Sequence, residues 1–352
     1  MKIETLLPLG KLDPGVRAAP AGLDIAQVAA DAARAEALGY DGILTEETKD
    51  DPFIVMALAA QATTRVSLAT AVAVAFPRSP TITAMTAWSL QRLSKGRFTL
   101  GLGSQVRGHI ERRFGVPWSA PGPWLREYVQ ALRSIWDCWQ NGTRLDFRGE
   151  HYKLTLMVPL FAPAPIENPD IKIELAAVNP YMCQVAGEVA DGIRAHPIAT
   201  PRYIAETMVP AMRKGAAKTG RDLANFTMCV MPLVATAPDS ETLAKRARDV
   251  RARVAFYAST PAYVLAFESE GYGEVARALQ GLARAQRWEE MPALVDDAML
   301  DTYAVIGTYD EIAGKLRARY AGLATAVQFS IPLADVRDEE MLRELIAGLR
   351  QT

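Results

Sequence analysis

The sequence predicts an α/β chain folded as a (β/α)8 TIM barrel with insertions. Three observations predict it: eight short runs rich in apolar and β-branched residues, a helical segment after each, and a length of 352 residues. A doubly wound open sheet is the alternative, and it calls for a glycine fingerprint that the sequence lacks in a suitable context. Half of the residues are hydrophobic and 8% aromatic, which excludes a disordered chain.

The first run, Ile3 to Leu9, leads to a helix from Asp24 to Leu38, with Asp24 as N-cap and Gly39 as the glycine beyond its end. Asp41 to Thr45 is the second strand, and Pro52 starts a helix to about Thr63. Val66 to Val74 reads as a strand covered on both faces, followed by a helix over Thr81 to Leu93. Arg97 to Leu102 is the fourth strand, ending in Gly101 and Gly103. A long helix spans Trp124 to Trp139, and Arg144 to Val158 predicts a hairpin about Arg148-Gly149-Glu150. Ile171 to Ala176, Gly192 to Ala195, Asn225 to Val234 and Ala324 to Pro332 complete the strands. Helices start at Pro180, Pro201, Ser240, Asp310 and Asp338. The expected organisation is a single domain over residues 1–352, with a hairpin insertion at about 144–165 and a helical, strand-free insertion at about 260–303.

Several function classes are excluded. Lys and Arg number 39 against 40 Asp and Glu, so bulk charge does not point to nucleic acid. No run approaches the ~20 apolar residues of a membrane span. The start, with Glu4 and Pro8, does not read as a signal peptide, and Cys138, Cys183 and Cys229 are too few and too separated for a disulfide framework. These features together predict a cytoplasmic protein. A Walker loop and a G-x-S-x-G elbow are missing, and His109, His151 and His196 stand apart without zinc spacing, so no metal is expected. Gly271-Tyr272-Gly273-Glu274-Val275-Ala276 matches G-x-G-x-x-A, but it follows no buried strand and reads as a loop opening an insertion helix.

In a parallel barrel the active site lies at the carboxyl ends of the strands. Those ends carry Glu46, Glu47 and Thr48, then Ala71 to Phe76, then Gly103, Ser104, Gln105 and His109, then Ala177, Val178 and Asn179, and finally His196. Trp136 and Trp139, at i and i+3 of one helix, read as core, whereas Trp118 and Trp124 read as lid-like.

Leu93-Ser94-Lys95-Gly96-Arg97-Phe98-Thr99-Leu100-Gly101-Leu102-Gly103, Arg78-Ser79-Pro80 with Ala84, Gly39-Tyr40-Asp41-Gly42, Asp51-Pro52-Phe53 and Val189-Ala190-Asp191-Gly192 occur in one order over residues 3–196. In that order they resemble the luciferase-like flavin and deazaflavin oxidoreductases, and the Gly-x-Gly-Ser-Gln-Val-Arg-x-His run resembles the branch that uses coenzyme F420. The resemblance implies a flat ring seated over a non-proline cis peptide at Ala71-Val72, with Ala71 and Ala73 small enough to leave room. It places the coenzyme phosphate near Val178 and Asn179, where Pro180 opens a helix. Ser104 and Gln105 are the implied ring or phosphate contacts, and Arg107 the partner of the acidic tail. Glu47 and His109 are the implied catalytic residues, for polar contact with the ring or proton transfer to the substrate. Where sugar-phosphate dehydrogenases of the family carry an acid–histidine pair after strand 2, this chain has Glu47-Thr48, and their later acid on strand 4 is Val106. Reduction of an activated C=C or C=O in a small organic substrate is therefore the expected reaction. FMN-dependent monooxygenation and a non-catalytic flavin-binding or structural barrel are the alternatives. The family resemblance also implies a homodimer.

Overall fold

Eight parallel strands form a closed ring: β1 (Lys2–Leu6), β2 (Gly42–Thr45), β3 (Ser67–Thr70), β4 (Phe98–Gly103), β5 (Lys172–Ala177), β6 (Gly192–Ala195), β7 (Thr227–Val230) and β8 (Ala326–Gln328). The structure, a computed structural model, describes residues 1–11 and 22–351. Neighbours in the ring are neighbours in the chain, and Ile3 opposite Val327 closes β1 onto β8. The barrel of the sequence analysis is therefore the fold. Its helices start where local chemistry satisfies their first amides. The Asp51 carboxylate accepts from Phe53 and Ile54 ahead of Pro52–Ala62, and Ser79 accepts from Ile82 ahead of Pro80–Leu93. Gly39, at φ +99°, ends Val28–Leu38 in the left-handed conformation that glycine adopts without strain.

Three segments differ from the sequence reading, each for a local reason. The run read as a single strand over Val66 to Val74 breaks after Thr70 and resumes as Ala73–Val74. The run read as Asn225 to Val234 splits at Met231-Pro232, because proline cannot donate to a ladder. Its second half, Leu233–Ala237, leaves the barrel and pairs in parallel with Ala304–Thr308. That partner strand was missed, since it begins directly at the end of helix Asp297–Tyr303 with no turn residue between them. The segment Pro261 to Tyr303 is helical without strands, and Phe147–Arg148 pairs antiparallel with Lys153–Leu154. Gly271, at φ +86°, turns the chain into helix Gly273–Arg284, so the G-x-G-x-x-A match is that insertion loop.

Inside the barrel a charged layer lies below the site. Arg194 of β6 is 3% exposed and holds Glu4 of β1 at 3.0 Å and Glu174 of β5 at 2.7 Å. Thr227 donates to Glu174 at 2.7 Å. A buried guanidinium needs such partners, because unpaired it would face the full desolvation cost.

Candidate active site

The break in β3 shapes one wall. Ala69 is opposite Thr99 and Ala73 opposite Leu102, so three residues of β3 face two of β4: a bulge of one residue. The Ala71–Val72 peptide within it is cis, as the resemblance implied. The Thr70 hydroxyl closes the gap, donating to the Gly101 carbonyl at 2.6 Å and accepting the Gly101 N–H at 2.9 Å. A Cβ on Gly101 would lie 1.8 Å from the Thr70 carbonyl oxygen, and one on Gly103 would lie 2.7 Å from a Val72 methyl. The Gly-x-Gly of strand 4 is thus what lets the bulge press against its neighbour.

Glu47 fastens the same wall from the end of β2. Its carboxylate accepts the Val74 N–H at 2.7 Å and pairs with Arg78 at 2.7 Å; Arg78 also reaches Asp51 at 3.0 Å. The Arg78 guanidinium lies over the Phe53 ring, 5.2 Å from its centroid. Burial opposes the charge on Arg78, but hydrogen bonds and attraction from Glu47 and Asp51 overcome it and hold its pKa above the ordinary value. Glu47 is 8% exposed and fully engaged, which suits a brace more than a free base.

A cavity of about 690 Å³ opens above the barrel, lined by Glu47, Ala71, Val72, Gly103, Ser104, Gln105, Arg107, Val178 and Asn179 among others. The structure thus brings Ala71, Val72, Ser104, Gln105, Arg107, Val178 and Asn179 together, and Glu47 with them, whereas Ala73 is fully buried and does not line the cavity. His109 also lies outside it. It sits exposed on the short helix Arg107–Arg112 and does not line the cavity, because Ile110, fully buried, anchors that helix and leaves His109 on the solvent side. Arg107, exposed at the rim, pairs with Glu111 at 3.0 Å. Trp118 lines the cavity, whereas Trp124, Trp136 and Trp139 are core. Trp124 stacks on Phe76 with ring centroids 3.8 Å apart. Asn179 stands at the N-cap of helix Pro180–Val189 but does not cap it: its amide donates to the Ala262 carbonyl at 3.0 Å, and its Oδ1 is buried without a partner among the described residues.

A luciferase-like monooxygenase family model matches residues 5–326 of the chain. The chain belongs to this luciferase-like family. An uncharacterised protein of Mycobacterium tuberculosis is 44% identical over 92% of this chain and 94% of its own length. A second protein of that organism, provisionally named as a coenzyme F420-dependent oxidoreductase, is 28% identical over 87% of this chain and 91% of its own. Among solved structures, the coenzyme F420-dependent tetrahydromethanopterin reductase of Methanopyrus kandleri superposes with a TM-score of 0.74. It has 20% identity and covers 99% of this chain and 97% of that one, a likeness of fold.

The opposite wall of this luciferase-like barrel comes from His196 and from three residues the sequence analysis did not select, Met231, Tyr257 and Tyr263. His196 had been placed at the strand ends but given no role. Its ring packs on Tyr257 and Tyr263, with centroids 4.6 Å and 4.2 Å away, and its Nδ1 accepts the Ile198 N–H at 3.4 Å. That bond leaves the ring proton on Nε2. Burial lowers its pKa to about 3, so the imidazole is neutral at working pH. Burial likewise raises the pKa of the Tyr257 and Tyr263 hydroxyls, which stay protonated. The helical insertion read over about 260–303 is the one sequence signal that leads here, since it contributes Ala262 and Tyr263 to the cavity.

Among the described residues, no group of three or more His, Cys, Asp or Glu side chains is placed to hold a metal ion, and no helix is long and apolar enough to cross a membrane.

Proposed function

We propose that this protein is an F420-dependent oxidoreductase that moves hydride between the deazaflavin and a small organic substrate with an activated C=C or C=O. The observation that carries the reading is one cavity joining the β3 bulge to the start of helix Pro180–Val189. Two features fit an anionic, flat-ringed coenzyme. No side chain caps that helix, so its first N–H groups and dipole are free for phosphate, and the buried Asn179 Oδ1 beside it lacks a partner among the described residues. Ala71, Val72 and Gly103 would bed the ring, Ser104 and Gln105 would hold its polar edge, and Val178 and Asn179 would flank the phosphate. Arg107 would meet the acidic tail, since an exposed pair such as Arg107–Glu111 is screened by solvent and exchanges partners readily.

When bound, the coenzyme supplies a carbon centre that gives or takes hydride. Glu47 holds the bulge in place, and the neutral donors of the far wall hold the substrate. The missing acid–histidine pair and the engagement of Glu47 with Arg78 favour reduction over base-driven oxidation of a hydroxyl. The reading includes one domain over residues 1–352, with insertions at about 144–165 and 260–303, in a cytoplasmic homodimer. Exposed Ile54, Ile82 and Met85 on helices Pro52–Ala62 and Pro80–Leu93 support such a contact.

Titration of the protein with F420 and with FMN, followed by coenzyme absorbance and tryptophan fluorescence, tests the assignment. F420 is expected to saturate with a spectral shift while FMN does not. The reverse order moves the protein to FMN-dependent monooxygenation, and silence with both makes it a non-catalytic barrel.

A further inference from the structure

We infer that the wall formed by His196, Tyr257 and Tyr263 selects an uncharged carbonyl compound, whose oxygen is received by the two tyrosine hydroxyls with the His196 Nε2–H beside them. The inference rests on the oxidoreductase reading and names its substrate class.

Charge is the first observation. Among the described residues that line the cavity, Glu46, Glu47, Arg107 and Arg194 are the carboxylates and guanidiniums, and each already has an opposite partner. Glu46 pairs with Lys11, Glu47 with Arg78, Arg107 with Glu111, and Arg194 with both Glu4 and Glu174. The innermost of these, Arg194, is shared between two carboxyl groups, so it offers an anion no net attraction. A carboxylate or phosphate placed at the inner end would be desolvated without a counter-ion, which is the costly case.

Donor chemistry is the second. The Tyr257 and Tyr263 hydroxyls make no hydrogen bond to protein among the described residues, although both rings line the cavity and lie 6.3 Å apart between centroids. His196 touches both rings, and its Nδ1 is already an acceptor for Ile198. The wall therefore presents neutral donors and an apolar surface, Met231 included, and a carbonyl oxygen on a planar organic body matches both. A buried donor left unpaired is unfavourable, so such a site also discriminates against hydrocarbons that lack the oxygen.

Three aryl methyl ketones, one neutral, one anionic and one cationic, test this: acetophenone, 4-acetylbenzoate and 4-acetylphenyl-trimethylammonium, titrated calorimetrically into the whole protein without coenzyme. Acetophenone is expected to bind at least tenfold more tightly than the benzoate. Tyr257→Phe and Tyr263→Phe are each expected to weaken acetophenone about fivefold, the loss of one hydrogen bond, with unchanged melting temperatures. Tighter binding of either ion, no binding of acetophenone at its solubility limit, or undiminished binding by the double Phe variant would falsify the assignment. The series uses no coenzyme, so its failure leaves the F420 titration standing, and a failed F420 titration leaves this wall to be judged by its own probes.

Discussion

On the β3–β4 side of the cavity backbone lies against backbone, with the Thr70 carbonyl where a Gly101 side chain would be. On the side of His196, Met231, Tyr257 and Tyr263 the surface is made of side chains from three segments of the chain, around residues 196, 231 and 257–263, tied to the helix start through the Asn179–Ala262 hydrogen bond. The contrast separates two demands. Under the proposed function the first is the coenzyme wall, which has to present one fixed shape, and close backbone approach enforces it through residue identity. The second, under the same proposal, is a substrate wall assembled from replaceable rings, so a single scaffold can serve many substrates by changing them.

The hardest test of that contrast is at Gly101. Gly101→Ala puts a methyl 1.8 Å from a backbone oxygen that has no room to retreat, whereas Gly103→Ala meets only a Val72 methyl at 2.7 Å. Overpacking of a tight site costs about 1–3 kcal/mol, and a clash with backbone lies at or above the top of that range. Denaturant melts are expected to show the loss of about 3 kcal/mol or more for Gly101→Ala, with the smaller effect at Gly103. Equal, mild losses at the two positions would mean that the bulge is not rigid, and the distinction between the walls would fail.

That rigidity also explains what was legible in the sequence. Gly101 and Gly103 stand out because only glycine fits, and Pro52, Pro180 and Pro201 stand out because helix starts tolerate proline. Barrel order and the β3–β4 side of the cavity were readable from such residues. His196, Met231, Tyr257 and Tyr263 carry no comparable mark: a tyrosine at a helix end or after Pro261 looks like any half-buried ring, and only the fold brings residues 196 and 263 into contact. Strand Ala304–Thr308 was hidden for a related reason, since no breaker separates it from the preceding helix. The role of Asn179 was half legible. Its position at the helix start was evident, but its side chain turns to Ala262, a contact across 83 positions.

Glu47 sharpens the comparison at the next level. Glu47→Gln keeps the shape but removes the charge that holds Arg78 and the Val74 amide. A weakened buried bond of this kind is worth about 1–3 kcal/mol. Stability and F420 affinity are expected to fall together, because the residue acts through the bulge it braces. If turnover alone falls, with melting temperature and coenzyme affinity unchanged, Glu47 is the proton-transfer group that its place in the sequence suggested, and the brace is secondary.

The smallest effect is expected at His109. Sequence proximity to the end of β4 places it at the site, but Ile110 is the residue of helix Arg107–Arg112 that turns inward. Successive residues of a helix are rotated by about 100°, so the neighbour of an anchored position points away from the anchor. His109→Ala is therefore expected to change stability by no more than about 0.5 kcal/mol, as for other surface substitutions, and to leave F420 saturation unaltered. Once a substrate is in hand, steady-state rates decide the remaining point. Unchanged kcat and KM fit a side chain outside the cavity. A tenfold fall in kcat at unchanged stability would require the helix to swing inward on binding, and the site would then be completed by motion rather than by the fold at rest.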